Sequence, residues 1–294
     1  MSISGHLCWI GLGKLGLPMA ARIVAGGRAI AGYDVDPVRM EAATARQVSV
    51  RPTLQAALDG AGIVFTSLPD DAALGQVGAA ILELLPREAV LVDTSTVSAG
   101  ASADLAEAAL AAGARYLRAP VSGNPVLAER GELTVLASGP RAAFDAARPA
   151  MAAFSRAQHY LGAAEEARYA KLAINLMIAV SAGMMGEALT LALKGGVDRR
   201  QMLDLLADSA VGSPMVKYKV PPLKEQDYSS TFSCRQMAKD LDLILATARG
   251  AEMPAPLAAQ LRETYSALIA TGEGETDFIA TVRHAARLAG LRED

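Results

Sequence analysis

The stretch CWIGLGKLGLPMAARIVAGG puts Gly11, Gly13 and Gly16 in a G-x-G-x-x-G pattern directly after an apolar run, with Leu12, Lys14 and Leu15 between them. The pattern suits a dinucleotide. One glycine makes a tight turn, one lets a pyrophosphate approach the backbone, and one allows close contact between helix and strand, with the phosphates on amides at the helix N-terminus. Asp34 falls 23 residues after Gly11, at the end of the next apolar run, where a carboxylate hydrogen-bonds the adenosine ribose. The same carboxylate would repel a 2′-phosphate, and the following residues, VDPV, bring no arginine immediately beside it, so NAD is expected over NADP. A turn with convenient glycines and a surface aspartate is the plainer reading, which the full order of strand, loop, helix, strand and acid argues against.

A second pair stands in YAKLAINLM, where Lys171 and Asn175 are four apart in an alanine- and leucine-rich run without proline. On a helix that spacing stacks an ammonium and an amide on one face. Spacing alone favours a solvated lysine on a helix edge and an amide paired to backbone. Cys8, Cys234, His6, His159 and His284 stand far apart and make no ligand spacing, so no metal is expected.

The elements that must carry these residues fall into two kinds. The first half alternates short apolar runs with alanine-rich periodic segments, the βαβ signature of a parallel sheet between helices. Strands are expected at 7–10, 29–33, 62–67, 89–92 and 115–117, with a further pair at 133–137 and 157–161 flanking a helix-like PRAAFDAARPAMAAF. From GAAEEARYAKLAIN onward helices dominate, at 163–194, 199–209, 236–249, 256–271 and 277–288, and the proline-rich KVPPLKEQDYSSTF reads as a loop. The expected domains are therefore an α/β dinucleotide-binding domain over residues 1–162 and a helical domain over 163–294.

Composition narrows the classes. A chain of 294 residues, 52% hydrophobic and 20% charged, is globular and long enough for two domains. A net charge of -3 without a basic block offers no footprint for nucleic acid. The longest uncharged stretch, 172–186, is shorter than the roughly 20 apolar residues of a membrane span, so no span is expected. The N-terminus has no basic region or cleavage site, which points to the cytoplasm.

Five ordered stretches, GLGKLGLPMA, DTSTVSAGASADLA, APVSGNPVLAERGELTVLASG, KLAIN and KDLDLIL, resemble the β-hydroxyacid dehydrogenase family in order and spacing over essentially the whole chain. The resemblance implies a Rossmann-type N-terminal domain, a long interdomain helix, an all-helical C-terminal domain and an active site in the cleft between them. It also implies an NAD-dependent oxidoreductase acting on a small anionic substrate, a β-hydroxyacid or its semialdehyde, usually as a homodimer or homotetramer. Lys171 looks like the family's catalytic lysine and Asn175 like the asparagine beside the substrate. Hydride transfer to a carbonyl carbon leaves charge on oxygen, which an acid must protonate as it develops; in reverse the same lysine must accept the hydroxyl proton, at a pKa lowered by burial or a neighbouring positive charge.

Other pieces take roles from the same resemblance. Ser122, Gly123 and Asn124 of PVSGN would grip the substrate carboxylate, while Leu68 and Pro69 of SLPD, Thr96 of DTST and Lys239 of KDLDLIL would reach the cofactor. Each has a plainer reading: an ordinary turn, a loop start, a helix cap, and an ion pair with Asp240 or a neighbour. Three departures affect the substrate end. Arg118 stands where the family has an acid, Asn124 replaces a glycine, and Ile174 replaces the first of two asparagines. Asparagine tolerates positive φ, so the cradle can survive, although its side chain would intrude on the substrate end, and a charge on Arg118 could select a doubly charged or non-carboxylate anion. An imine reductase of the same architecture is an alternative that Lys171 argues against; a non-catalytic NADH sensor is another.

Overall fold

The computed structural model describes residues 5–291, in two compact units, Met1–Lys171 and Leu172–Asp294. The first unit runs β1 (His6–Ile10), α1 (Gly16–Ala25), β2 (Ile30–Tyr33), α2 (Pro37–Ala45), β3 (Ser49–Val50), α3 (Leu54–Leu58), β4 (Ala61–Thr66), α4 (Asp71–Leu84), β5 (Val90–Asp93) and α5 (Ala99–Ala111). It continues through β6 (Arg115–Arg118), β7 (Val121–Ser122), α6 (Pro125–Arg130), β8 (Leu133–Ser138), α7 (Arg141–Met151) and β9 (Ser155–Gly162). α8 (Glu166–Lys194) spans the division at Lys171, a few residues beyond the boundary expected near Gly162.

The sheet has the strand order β3-β2-β1-β4-β5-β6-β8-β7, with β9 on β8. Every pairing from β3 to β6 is parallel, and β8 runs antiparallel to β6 and β7. β4 and β5 are buried along their whole length, which is why their sequences read as unbroken apolar runs rather than alternations. Trp9 stacks on Phe65 with ring centroids 4.9 Å apart and meets Phe154 edge-on, filling the layer under α1 and α7. The two-residue strands β3 and β7 escaped the sequence reading because they are too short to carry a periodic signal.

Two glycines of the first loop are sterically required. Gly11 has φ +89°, and a Cβ there would lie 2.4 Å from the Ser67 carbonyl oxygen. A Cβ on Gly16 would lie 2.0 Å from the Gly11 oxygen and 2.9 Å from Trp9 Nε1, so α1 can leave β1 this tightly only with glycine at both places.

The second unit is helical: the rest of α8, then α9 (Arg199–Asp208), α10 (Pro214–Lys224), α11 (Cys234–Gly250), α12 (Pro256–Ala270), a short 3₁₀ turn over Phe278–Ala280 and α13 (Thr281–Leu288). α10 corrects the expected loop, since KVPPLK forms its second half. Ser213 caps the helix by accepting from the Val216 amide (3.3 Å), Pro214 occupies its first turn, and Val216, Val220 and Leu223 bury one face. That burial outweighs the helix-breaking tendency of Pro221 and Pro222. A buried ion pair, Lys219 Nζ to Asp277 Oδ1 at 2.6 Å, ties α10 to the segment before α13. α8 is 29 residues long with mean hydropathy 1.7 in its most apolar window, enough by length and composition alone to cross a membrane. Here the apolar side chains Leu172, Ala179, Ala182, Met185 and Leu189 serve the core of the helical unit.

Candidate functional site

The parallel strands deliver their C-terminal ends to one edge of the sheet, where ligands bind in such folds. The loop Gly11–Gly16 follows β1 there, with Leu12 buried, Leu15 half-buried and Lys14 exposed. The N-terminus of α1 has no side-chain cap, leaving its first amides to an anion. Asp34, 4% exposed at the end of β2, accepts from the Leu12 amide through Oδ2 (2.7 Å) and from the Asp36 amide through Oδ1 (2.9 Å). Each oxygen keeps a lone pair for a ribose hydroxyl. The cradle therefore fits an adenine dinucleotide.

One cation here was missed. No arginine follows Asp34 directly, but α2 turns Arg39 back so that Nη1 lies 3.5 Å from Asp34 Oδ2 and Nε lies 3.4 Å from Asp36 Oδ2. A Cβ on Gly13 would be 3.8 Å from the same Nη1. Arg39, half-exposed, thus stands beside both Asp34 and the glycine loop, where a 2′-phosphate would need a partner.

The SLPD and DTST segments meet across β4 and β5. The Leu68 amide donates to Ser95 Oγ (2.8 Å), Ser67 Oγ pairs with Thr94 Oγ1 (2.9 Å), and Pro69 is exposed next to them. Thr96 is half-buried. The cap of α5 is Ser98, whose Oγ accepts from the Ala101 amide (3.1 Å), so the capping role weighed for Thr96 belongs to Ser98. Beneath this loop lies a buried polar cluster that the sequence did not announce. Asp93 Oδ1 accepts from Thr66 Oγ1 (2.7 Å) and Ser95 Oγ (2.6 Å), and Oδ2 pairs with Arg168 Nη2 (2.5 Å). Burial pushes the Tyr116 hydroxyl up to about 12, so it stays protonated beside Arg168.

The PVSGN loop lies after β6. Ser122 ends β7, and Gly123 has φ +138°, where a Cβ would meet Leu133 Cδ2 at 2.5 Å. Asn124 does not use positive φ. Its backbone is extended (φ -135°, ψ 176°) and its Oδ1 accepts from the Leu127 amide at 3.0 Å, capping α6 with Pro125 at the first helical position. Arg118 is buried, its guanidinium over the Tyr116 ring at 4.9 Å from the ring centre, and forms an ion pair with Glu165. Its charge is matched internally, which removes the expectation that it selects a second substrate charge.

Lys171 and Asn175 sit one turn apart on α8, 8% and 4% exposed. Asn175 Nδ2 donates to Asp240 Oδ2 at 2.6 Å, and Lys239 Nζ lies 2.9 Å from Asp240 Oδ1. Asp240, 1% exposed on α11, joins the two residues that the sequence singled out separately. Lys239 keeps the ion pair weighed as its plainer role. The sequence signals Asp240 only through its position right after Lys239. Among the described residues no group of three or more His, Cys, Asp or Glu is placed to hold a metal ion.

Comparison with known proteins gives a consistent picture. Residues 6–162 match the model of the NAD binding domain of 6-phosphogluconate dehydrogenase, and residues 166–285 match that of the NAD-binding domain of NADP-dependent 3-hydroxyisobutyrate dehydrogenase. The chain is 32% identical to glyoxylate/succinic semialdehyde reductase 1 of Arabidopsis thaliana over 69% of its length and 70% of the relative's. It is 26% identical to 2-(hydroxymethyl)glutarate dehydrogenase of Eubacterium barkeri over 99% of its length and 98% of the relative's. The solved 3-hydroxyisobutyrate dehydrogenase of Mycobacterium tuberculosis with L-serine superposes with a TM-score of 0.87 at 26% identity, covering 97% of this chain and 99% of that one.

Proposed function

Because this chain belongs to the β-hydroxyacid dehydrogenase family, an oxidoreductase family with NAD(P)-binding domains, we propose that it interconverts a small β-hydroxyacid and its semialdehyde, with Lys171 as general acid and base. The carrying observation is the placement of Lys171 and Asn175, both buried, on successive turns of one helix, with the amide of Asn175 fixed by Asp240. When bound, the nicotinamide supplies or accepts the hydride. Lys171 Nζ gives a proton to the substrate oxygen as charge develops there, and takes it back in oxidation. Asn175 orients the substrate through its free amide positions without adding a competing charge. The amides around Ser122, Gly123 and Asn124 hold the carboxylate, a concave site of backbone donors.

Asp34 supports a preference for NAD(H), and Arg39 makes that preference modest rather than absolute. A second copy of the chain is the proposed partner. Met177, Met184 and Leu191 are spaced by seven along one face of α8 and are 71%, 55% and 77% exposed, an apolar stripe suited to a homodimer or homotetramer interface. The cytoplasm is the proposed location. Mixing the protein with NADH and a panel of short aldehyde acids while following nicotinamide absorbance tests the activity; no oxidation with any of them sinks the reading. The imine reductase alternative would show itself as turnover confined to ketone and amine mixtures.

A further inference from the structure

The start of α8 is held by a side chain that neither the cofactor cradle nor the proton transfer uses. Arg168, 1% exposed, spends its guanidinium on four groups: Nε to Ser102 Oγ (3.1 Å), Nη1 to the Ser95 carbonyl (2.7 Å), and Nη2 to Asp93 Oδ2 (2.5 Å) and the Tyr116 hydroxyl (2.8 Å). These partners come from the end of β5, the loop after it, α5 and β6. The geometry points to Arg168 as a positioning residue for Lys171, setting where the ammonium stands relative to the loop 93–96. This inference rests on the proposed role of Lys171.

Three features carry it. Arg168 and Lys171 are three apart on α8 and so are neighbours on its surface. The carbonyl that Arg168 holds belongs to Ser95, the residue before Thr96, and the Asp93 it pairs with also fixes Ser95 Oγ and, through it, the Leu68 amide. One rigid fork therefore gives Lys171, Thr96 and Leu68 a common reference. Finally, a buried ion pair contributes little net stability compared with apolar side chains of the same volume, so the fork's distinctive contribution is geometric definition.

Arg168→Lys tests this directly, since it keeps the charge opposite Asp93 but replaces the planar fork with a point donor. With an aldehyde acid that the wild type reduces, kcat should fall about 10- to 100-fold, the scale expected for a displacement of about 1 Å, while Kd for NADH, measured by fluorescence, rises by a clearly smaller factor, since Gly11, Gly16 and Asp34 lie outside the fork's contacts. In the cofactor-free protein, acylation of Lys171 by an amine-reactive reagent, mapped by mass spectrometry, should also change rate. Arg168→Met should lower kcat at least as far; should it fail to fold, the lysine variant decides. Unchanged kcat and unchanged Lys171 acylation in Arg168→Lys overturn the inference, whatever happens to Tm. So does a loss of NADH affinity as large as the loss of kcat, which would make Arg168 a support of the cofactor cradle. A wild type without turnover overturns the proposed function and this inference together, whereas an active wild type matched by Arg168→Lys overturns this inference alone.

Discussion

Asn175 and Asp240 form a buried amide–carboxylate pair, Nδ2 to Oδ2 at 2.6 Å, joining α8 to α11 within the helical unit. The Nδ2 end of the Asn175 amide faces Asp240, which leaves Oδ1 and one N–H for a substrate. Asp240→Ala removes that orientation. A hydrogen bond to a charged group is worth about 1.5–3 kcal/mol, so KM for the aldehyde acid should rise roughly 10- to 100-fold, with kcat changing less. Steady-state kinetics check this, and an unchanged KM would return Asp240 to a purely structural place.

Lys171→Met keeps length and apolar packing and deletes the proposed proton donor. Turnover should fall about 10²- to 10⁴-fold, the usual range for one general acid or base, with NADH affinity and the circular dichroism spectrum little changed. Turnover within a few-fold of wild type would leave Lys171 as a packed helix lysine.

The cofactor preference divides between two side chains. NAD(H) should bind more tightly than NADP(H) if Asp34 takes the proposed place beside the ribose hydroxyls. Arg39→Ala should then weaken NADP(H) binding by about tenfold and leave NAD(H) nearly alone, since only the phosphate needs the guanidinium. Fluorescence titrations with both reduced cofactors decide it; equal or tighter NADP(H) binding by the wild type overturns the first half, and an Arg39→Ala protein with both affinities intact overturns the second.

Asn124 is a cap, and its replacements should behave as cap replacements. Asn124→Ala should cost about 1 kcal/mol of stability and Asn124→Gly only a few tenths. Because Oδ1 is engaged with the Leu127 amide, Asn124→Gly should leave the ratio of kcat/KM for 3-hydroxyisobutyrate and the best substrate nearly unchanged. A large shift in that ratio would show that the side chain turns toward the substrate during the reaction.

Both thiols should be silent in the native protein. Burial pushes Cys8 up to about 12 and Cys234 up to about 11, and both are 0% exposed, so neither forms thiolate at pH 8. A disulfide reagent at that pH should titrate no thiol until denaturant is added, and then both. Rapid native reaction at either position would contradict the burial.

What could be read in advance was local. Gly11, Gly16 and Asp34 announce themselves because the turn, the close helix and the acid that follows β2 all fall within one βαβ segment. The strands β1, β4 and β5 were legible because full burial leaves apolar runs. Relations created by a chain turning back were not. Arg39 lies on α2, five residues after the acid it approaches, and Arg168 precedes Lys171 by one turn in a stretch where an arginine reads as solvated. KVPPLK was misread because proline signals a loop locally, while Val216, Val220 and Leu223 bury the helix through tertiary contacts. Asn124 was assigned the conformation of the glycine it replaces, although its neighbour Gly123 takes the positive φ and leaves it free to cap.

The glycine loop is latched by the protein's own hydrogen bonds and packing. The Gly11 amide donates to the Tyr33 carbonyl at 3.0 Å, the Leu12 amide donates to Asp34, and the contact at Gly16 fixes the angle at which α1 departs. The loop's conformational entropy is therefore surrendered during folding rather than at encounter. Dinucleotide capture in this chain starts from a preorganised surface, and its rate and enthalpy should reflect desolvation of phosphate and ribose more than any reshaping of the backbone.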